Sequence, residues 1–270
     1  DLLLGLGSDV VEPVRANADG AIAVRHLEQV LDEGAGPTIV CLQAGNVNTG
    51  ACDDLRAACD LAHRHGAWVH VDGAFGLWAA ANPATRHLME GVELADSWGC
   101  DGHKWLNLPY DSAFAFCSRP QVQVAAMSYT ASYLTGSGVE PGAADYTAES
   151  SRRARGFAAW AALRQLGRSG VADLVERCCR LARRFADQLA SAGFEVANDV
   201  VLNQVLVSFG DDATTDRVVQ AIQQDGTCWM GATTWRGRRF MRIAVSNYLT
   251  TDDDVDRSVE AILRCAEHAA

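Results

Sequence analysis

The sequence predicts an α/β protein with a mostly parallel sheet, followed by a smaller α+β part. Three observations carry that prediction. Short apolar runs alternate with amphipathic stretches through the first half, the rhythm of strands joined by crossover helices. The run Trp68–Val71 ends abruptly in Asp72-Gly73, as a buried strand does where it leaves a sheet. From about residue 151 the pattern becomes helical and then strand-rich. At 270 residues and 49% hydrophobic content, the chain can bury one large core or two modest ones.

Element by element, Val10–Arg15 reads as a strand, Val24–Glu33 as a helix, and Thr38–Leu42 as a buried strand entering the loop Gly45–Gly50. A helix over Asp53–His65 comes next, with Asp53 or its neighbour as N-cap and Gly66 as its stop. Strands are expected at Trp68–Val71, Leu94–Trp98 and Ala113–Cys117. Residues Ser118–Ala148 lack periodicity and read as a long loop, a feature more often functional than decorative. A long helical region runs from Ser151 to Ala192 with a break near Gly167–Gly170. The remainder reads as strand (Val201–Phe209), helix (Thr215–Gln224), two strands (Cys228–Thr234, Arg239–Ser246) and helix (Asp252–Ala266).

Charge and cysteine usage narrow the function classes. The 34 acidic and 23 basic residues leave a formal charge of -11, which repels nucleic-acid backbones and anionic membranes. The arginine clusters at 152, 153 and 155 and at 236, 238 and 239 carry no aromatic platform or recognition motif, so no nucleic-acid partner is expected. Nine scattered cysteines, odd in number, fit reduced thiols and a cytoplasmic location. No stretch reaches the eighteen or so apolar residues of a membrane span, and the first seven residues have no secretory pattern. Because the chain opens at Asp1 on what reads as a helix end, a preceding segment is expected.

Cys59, His63, His65 and His70 fit no zinc spacing, and no metal is expected. Cys178-Cys179 reads as a buried apolar pair. The chemistry points elsewhere. Asp72 stands at the C-terminal end of a strand, where such sheets place ligand contacts, and a buried carboxylate there needs a partner. Lys104 lies 32 residues later, flanked by His103 and Trp105. An amine for a Schiff base and an acid for a pyridinium nitrogen are what pyridoxal chemistry requires; the plain alternative is an inert Asp72–Lys104 ion pair.

The runs His70-Val71-Asp72-Gly73-Ala74-Phe75-Gly76 and Asp101-Gly102-His103-Lys104-Trp105-Leu106-Asn107 resemble the two signature segments of the group II pyridoxal-phosphate-dependent amino-acid decarboxylases. Gly91–Ser97 and Arg242–Asn247 extend the likeness over nearly the whole chain. The resemblance implies the aspartate aminotransferase fold, fold type I, with residues 1–150 as the C-terminal part of the large cofactor-binding domain and 151–270 as the small domain. It implies decarboxylation of an L-amino acid to its amine through a Lys104 Schiff base. Asp72 becomes the partner of the pyridine nitrogen, and His103 lies beside the cofactor. Ala74 matches a small residue near the ring, with ordinary close packing as its other reading. Tyr133, in Ser132-Tyr133-Leu134, matches the mobile catalytic tyrosine that returns a proton to Cα, with Tyr129 as its competitor.

Two positions depart from the better-known members. Asp101 stands where several have an asparagine near the phosphate, and Val47 replaces a hydroxyl residue. The resemblance assigns most of the phosphate cradle and the ring-stacking aromatic to an N-terminal part. It also implies a homodimer with active sites at the interface. Arg152 and Arg153 match a paired arginine that orients the small domain, sits near the subunit interface or is simply solvated, and Arg242 stays outside the assignment. Rival readings are an aminotransferase, an aldehyde synthase or lyase on the same fold, and an inactive homologue. The substrate's side chain is not legible in this sequence.

Overall fold

The computed structural model describes residues 5, 7–128, 142–149 and 151–269. Two four-stranded sheets organise it. The first has the order β1 (Ile39–Gln43), β2 (Trp68–Asp72), β3 (Ser97–Asp101), β4 (Ala113–Cys117). β1, β2 and β3 pair in parallel and β4 joins antiparallel. Alternation decides which face is covered: Val40, Leu42, Val69 and Val71 are buried, while Ile39 is 66% exposed and Asp72 is also open. Helices α1 (Val24–Glu33) and α2 (Leu55–Arg64) supply the cover through Leu27, Leu31, Leu55, Ala58, Leu61 and Ala62. Each buried leucine contributes about 1.5–3 kcal/mol.

Local chemistry sets the element ends. The Asp54 carboxylate accepts from the Ala57 N–H and caps α2, while neighbouring Asp53 is buried and accepts from the Ile22 and Gln43 N–H groups, each at 2.6 Å. The expected strand at Leu94–Trp98 is displaced. Val92–Leu94 forms a 3-10 turn after Gly91, and the strand begins at Ser97, once Asp96 has bonded back to the Val69 N–H. Val10–Arg15 forms no strand; Val10 and Val11 are exposed, and the segment's nearest pairing is an isolated bridge between Ala16 and Ile22. The expected loop after Ser118 contains α3 (Pro120–Met127), started by proline at its first position.

The second sheet is antiparallel, ordered β5 (Glu195–Val196), β6 (Gln204–Ser208), β8 (Arg238–Ala244), β7 (Gly231–Trp235). The β7–β8 hairpin turns on Arg236 and Gly237, both at positive φ, as a two-residue primed turn demands. Long α4 (Arg155–Ser191) leaves helical geometry at Gly167, whose φ of 62° and ψ of −175° suit glycine alone. Its second run buries Leu174, Val175, Cys178, Cys179, Leu181 and Phe185, and α5 (Asp212–Asp225) and α6 (Asp252–Ala269) complete the core. Arg184 forks onto Asp256 at 2.7–2.8 Å, tying α4 to α6. Among the described residues no helix is long and apolar enough to cross a membrane.

Two contacts hold the strands of the first sheet in place, one at the exit of β1 and one where β2 and β3 enter the sheet. Gly76 packs directly on the end of β1: its N–H donates to the Ala44 carbonyl at 2.9 Å, and a Cβ there would lie 2.5 Å from the Ala44 backbone. On the open face, Ser97 Oγ accepts from Trp68 Nε1 at 2.9 Å and meets His70 Nδ1 at 2.8 Å, locking β2 to β3 through side chains as well as ladder bonds. Burial pushes the His70 imidazole below its ordinary range, and nearby Asp72 pulls it partly back.

Gly76→Ala is expected to cost at least the roughly 1–3 kcal/mol of ordinary overpacking, because the obstacle is backbone, read as a lower urea midpoint at unchanged slope. For His70, the unfolded chain takes up a proton near 6.5 while the folded chain resists it. Its stabilising preference is therefore complete above that pH and lost as pH falls through the folded-state value. Wild type should lose more unfolding free energy between about pH 7.5 and about pH 5.5 than His70→Gln does, and equal losses would refute the assignment.

Candidate active site

The C-terminal edge of the first sheet gathers the chemically capable side chains. β2 ends at Asp72 and β3 at Asp101, with Asp72 opposite Gly99 in the parallel register. The Gly73 N–H donates to the Gly99 carbonyl at 2.9 Å, so the two chains stay paired as they leave the sheet. A Cβ at Gly73 would meet Leu77 at 2.6 Å, and one at Gly102 would meet Leu108 at 2.8 Å. Glycine at both exits lets the loops fold tightly against the edge.

Lys104 lies in the tight segment after β3, beside Trp105, which is 1% exposed, and the buried Leu106 and Leu108. Its Nζ pairs with Asp101 Oδ2 at 2.9 Å and sits 4.0 Å from the centroid of the Phe75 ring. The plain alternative of an Asp72–Lys104 ion pair is thereby set aside in favour of Asp101. Asp72 is exposed, where the sequence suggested a buried carboxylate, because the side of β2 that carries it has no covering helix among the described residues. Its Oδ1 accepts from the Ala74 N–H at 3.1 Å. Among the described residues its other oxygen has no hydrogen-bond donor.

His103 is held from three sides. Its ring packs at 4.1 Å on Tyr110, Nδ1 lies 2.8 Å from the Ser112 carbonyl, and Nε2 lies 3.3 Å from Asp101 Oδ2. Ala74 comes two residues after Asp72 in the turn, its N–H engaged by that carboxylate. Tyr133 and Tyr129 lie outside the described residues. Arg242 reaches the Val47 carbonyl at 3.1 Å, and Arg153 Nη2 binds the Pro109 and Asp111 carbonyls at 3.1 and 2.6 Å, so the paired arginine's second member braces the loop beyond Lys104. His63 meets Asp96 at 3.1 Å and His65 meets Asp32 at 3.6 Å. Cys178 and Cys179 are buried free thiols.

Composition holds a signal for this site that the motifs alone do not. Lys104 is the only lysine of the chain, so of its 23 basic residues 22 are arginine. A guanidinium serves for ion pairs and loop bracing but cannot act as an amine nucleophile. The single position with a primary ε-amine is the one at the sheet edge. An amine at 26% side-chain exposure, an aromatic ring beside it and a carboxylate with a free oxygen on the adjacent strand fit a pyridoxal cofactor's demands: a covalent anchor, a partner for a ring nitrogen and room at the edge.

Comparison with known proteins agrees with this geometry. The family model for the pyridoxal-dependent decarboxylase conserved domain matches residues 10–210. The chain is 28% identical over 272 aligned residues to an aromatic-L-amino-acid decarboxylase of Drosophila simulans, covering 98% of this chain and 53% of that one. It is 25% identical to a 4-hydroxyphenylacetaldehyde synthase of Rhodiola rosea, covering 88% of this chain and 50% of that one. Among solved structures, Oryza sativa TDC with PLP and tryptamine superposes with a TM-score of 0.92 at 24% identity, over 99% of this chain and 59% of that one. Mouse CSAD superposes at 0.90 and 23% identity, over 98% and 60%. The chain thus spans about half the length of the curated relatives it matches, and it carries the aspartate aminotransferase fold of these structures. With two thirds of its residues or more inside the family model, and with its one lysine at the edge that the matched segment builds, the chain belongs to the pyridoxal-dependent decarboxylase family.

Proposed function

We propose that this chain carries the lysine half of a pyridoxal-phosphate-dependent L-amino-acid decarboxylase. One observation supports it above the rest: the sole ε-amine of the chain and the Asp72 carboxylate leave adjacent parallel strands at the same edge, inside the matched family segment. When bound, pyridoxal phosphate supplies an electron-withdrawing ring that takes up the electron pair released as the carboxyl group departs from Cα. Lys104, the sole ε-amine, would hold the cofactor. Asp72, whose second oxygen has no donor among the described residues, would hold a proton on the ring nitrogen, a charge-assisted contact in which loss of one partner costs about 10²–10³ in rate. His103 lies beside the cofactor, kept in place by Tyr110 and Ser112. Ala74 leaves space beside the ring. Tyr133 returns a proton to Cα.

We further place the domain division at 150/151, between the two sheets, and the protein in the cytoplasm as a homodimer. Nine free cysteines support a reducing compartment. The exposed pair Phe157 and Trp160, 79% and 67% accessible, supports an apolar partner surface. Aromatic L-amino acids come first as substrates, since the relatives include aromatic-L-amino-acid and tryptophan decarboxylases. A second reading, aldehyde formation, is favoured by the likeness to the Rhodiola rosea synthase.

Purified with pyridoxal phosphate, the protein should show a cofactor absorption band that borohydride fixes on Lys104, and Lys104→Arg should abolish band and adduct alike. Asp72→Ala should keep the adduct and lower carbon dioxide release about 10²–10³-fold. Amine as product supports decarboxylation, and aldehyde supports the second reading. No band in the wild type would overturn both.

A further inference from the structure

Asn107, three residues beyond Lys104, spends its whole side chain on its own turn and one distant segment. Its Nδ2 donates to the Lys104 carbonyl at 2.7 Å, to the Ser246 carbonyl at 2.7 Å and, at a longer 3.3 Å, to the Trp105 carbonyl. Its Oδ1 accepts from the Tyr248 N–H at 2.9 Å. Both amide hydrogens and the amide oxygen are engaged. The backbone is unusual too: φ is 51°, in the left-handed region that asparagine enters more readily than most residues. Ser246 and Tyr248 belong to the connection between β8 and α6, 139 and 141 residues away. Among the described residues no other side-chain hydrogen bond joins that connection to the lysine segment. Arg177 fixes it from the other side, donating to the Tyr248 carbonyl at 2.8 Å.

We propose that Asn107 is a positioning residue that ties the main chain carrying Lys104 to the β8–α6 connection, so that the amine is presented at the sheet edge only while that connection is docked. The inference rests on Lys104 as the cofactor-bearing residue and adds the element that aims it. A lysine side chain swings on four single bonds, so its reach is set by where the backbone holds its Cα, and displacement by about 1 Å can cost on the order of 10²-fold in a covalent step. Among the described side chains, the Asn107 amide alone holds the Lys104 carbonyl and the distant connection at once. It therefore links the second sheet's β8 to the chemistry of the first sheet's edge, a link that neither packing pattern nor motif reveals.

The test uses Asn107→Gly, which accepts the left-handed backbone without strain and deletes all four bonds. Val218→Ala, a buried aliphatic change in α5 that leaves all four Asn107 bonds in place, serves as a control for general destabilisation. Hydrogen exchange on the cofactor-free protein should show residues 102–108 and 244–249 losing protection together in Asn107→Gly and keeping it in Val218→Ala. Uptake of pyridoxal phosphate by Lys104, followed by absorption and fixed by borohydride, should slow about tenfold in Asn107→Gly and stay at the wild-type rate in the control. Asn107→Asp, which keeps the acceptor for Tyr248 but sets a carboxylate against three carbonyls, should be as slow as the glycine variant. Exchange confined to one segment, or uptake as fast as in the control, overturns the proposal. Failure of the wild type to take up cofactor at all would instead sink the proposed function, and the exchange experiment would still decide the tether.

Discussion

The site depends first on the parallel pairing of β2 with β3. Parallel strands send both C-terminal ends to one edge, and the register that sets Asp72 opposite Gly99 lets Asp72 end its strand beside the departing β3. A slip of one residue would exchange the faces. Asp72 would then point where Val71 points, among the buried side chains of α2, and the uncompensated carboxylate would cost several kcal/mol. The same apolar residues that bury one face of the sheet therefore decide that the carboxylate stands on the other. Packing and chemistry share one register here, and Ser97 reinforces it by engaging Trp68 and His70 across the two strands.

The loops at that edge bury apolar side chains of their own, Trp105, Leu106 and Leu108 among them, and polar side chains from distant elements fasten their backbones as well. Asn82, after the Asp72 turn, donates to the Ala172 carbonyl of α4 at 2.9 Å. Arg153 gathers the carbonyls after Lys104. Asn198 reaches the Thr49 carbonyl at 3.0 Å, and Thr233 reaches Asn48 at 2.9 Å, binding the Gly45–Gly50 loop to the second sheet. Each bond has modest net worth, about 0.5–1.5 kcal/mol, but each also satisfies a carbonyl or amide that would otherwise be stranded. The network fastens the backbone around the edge where Asp72 and Lys104 emerge.

Much of the fold is legible in sequence where the signal is local. The helix over Val24–Glu33 comes from its 3.6-residue apolar stripe, the end of α2 from Gly66 at a φ of 69°, and β4 from a run bounded by turn residues. The family is legible because the motifs around Asp72 and Lys104 are contiguous. The structure departs from the local pattern where a decision is made at long range. Val92 and Leu94 look like the start of a strand, yet Gly91, pressed against the backbone of Arg56, turns the chain first. Asp53 and Asp54 are equally good caps on paper, and only the approach of Ile22 and Gln43 assigns one to the core. Val10–Arg15 has the composition of a strand and no neighbour to pair with among the described residues. Asn107 closes the signature run, but nothing local in the sequence reveals its tether, because two of its partners lie 139 residues and more away.

Asp101 shows how the site reconciles a carboxylate with a position beside a proposed phosphate. A free carboxylate there would repel a dianion. In this chain Oδ2 is instead shared between Lys104 at 2.9 Å and His103 at 3.3 Å, so its charge is spent on two neighbours of opposite or neutral character. The pair is partly exposed, at 26% and 20% side-chain accessibility, and contacts of that kind are worth about 0–1 kcal/mol. A contact of that size keeps the amine beside Phe75 without fixing it tightly. An asparagine could not orient the ammonium by charge. The acid at this position therefore engages the lysine and the histidine instead of standing free at the edge.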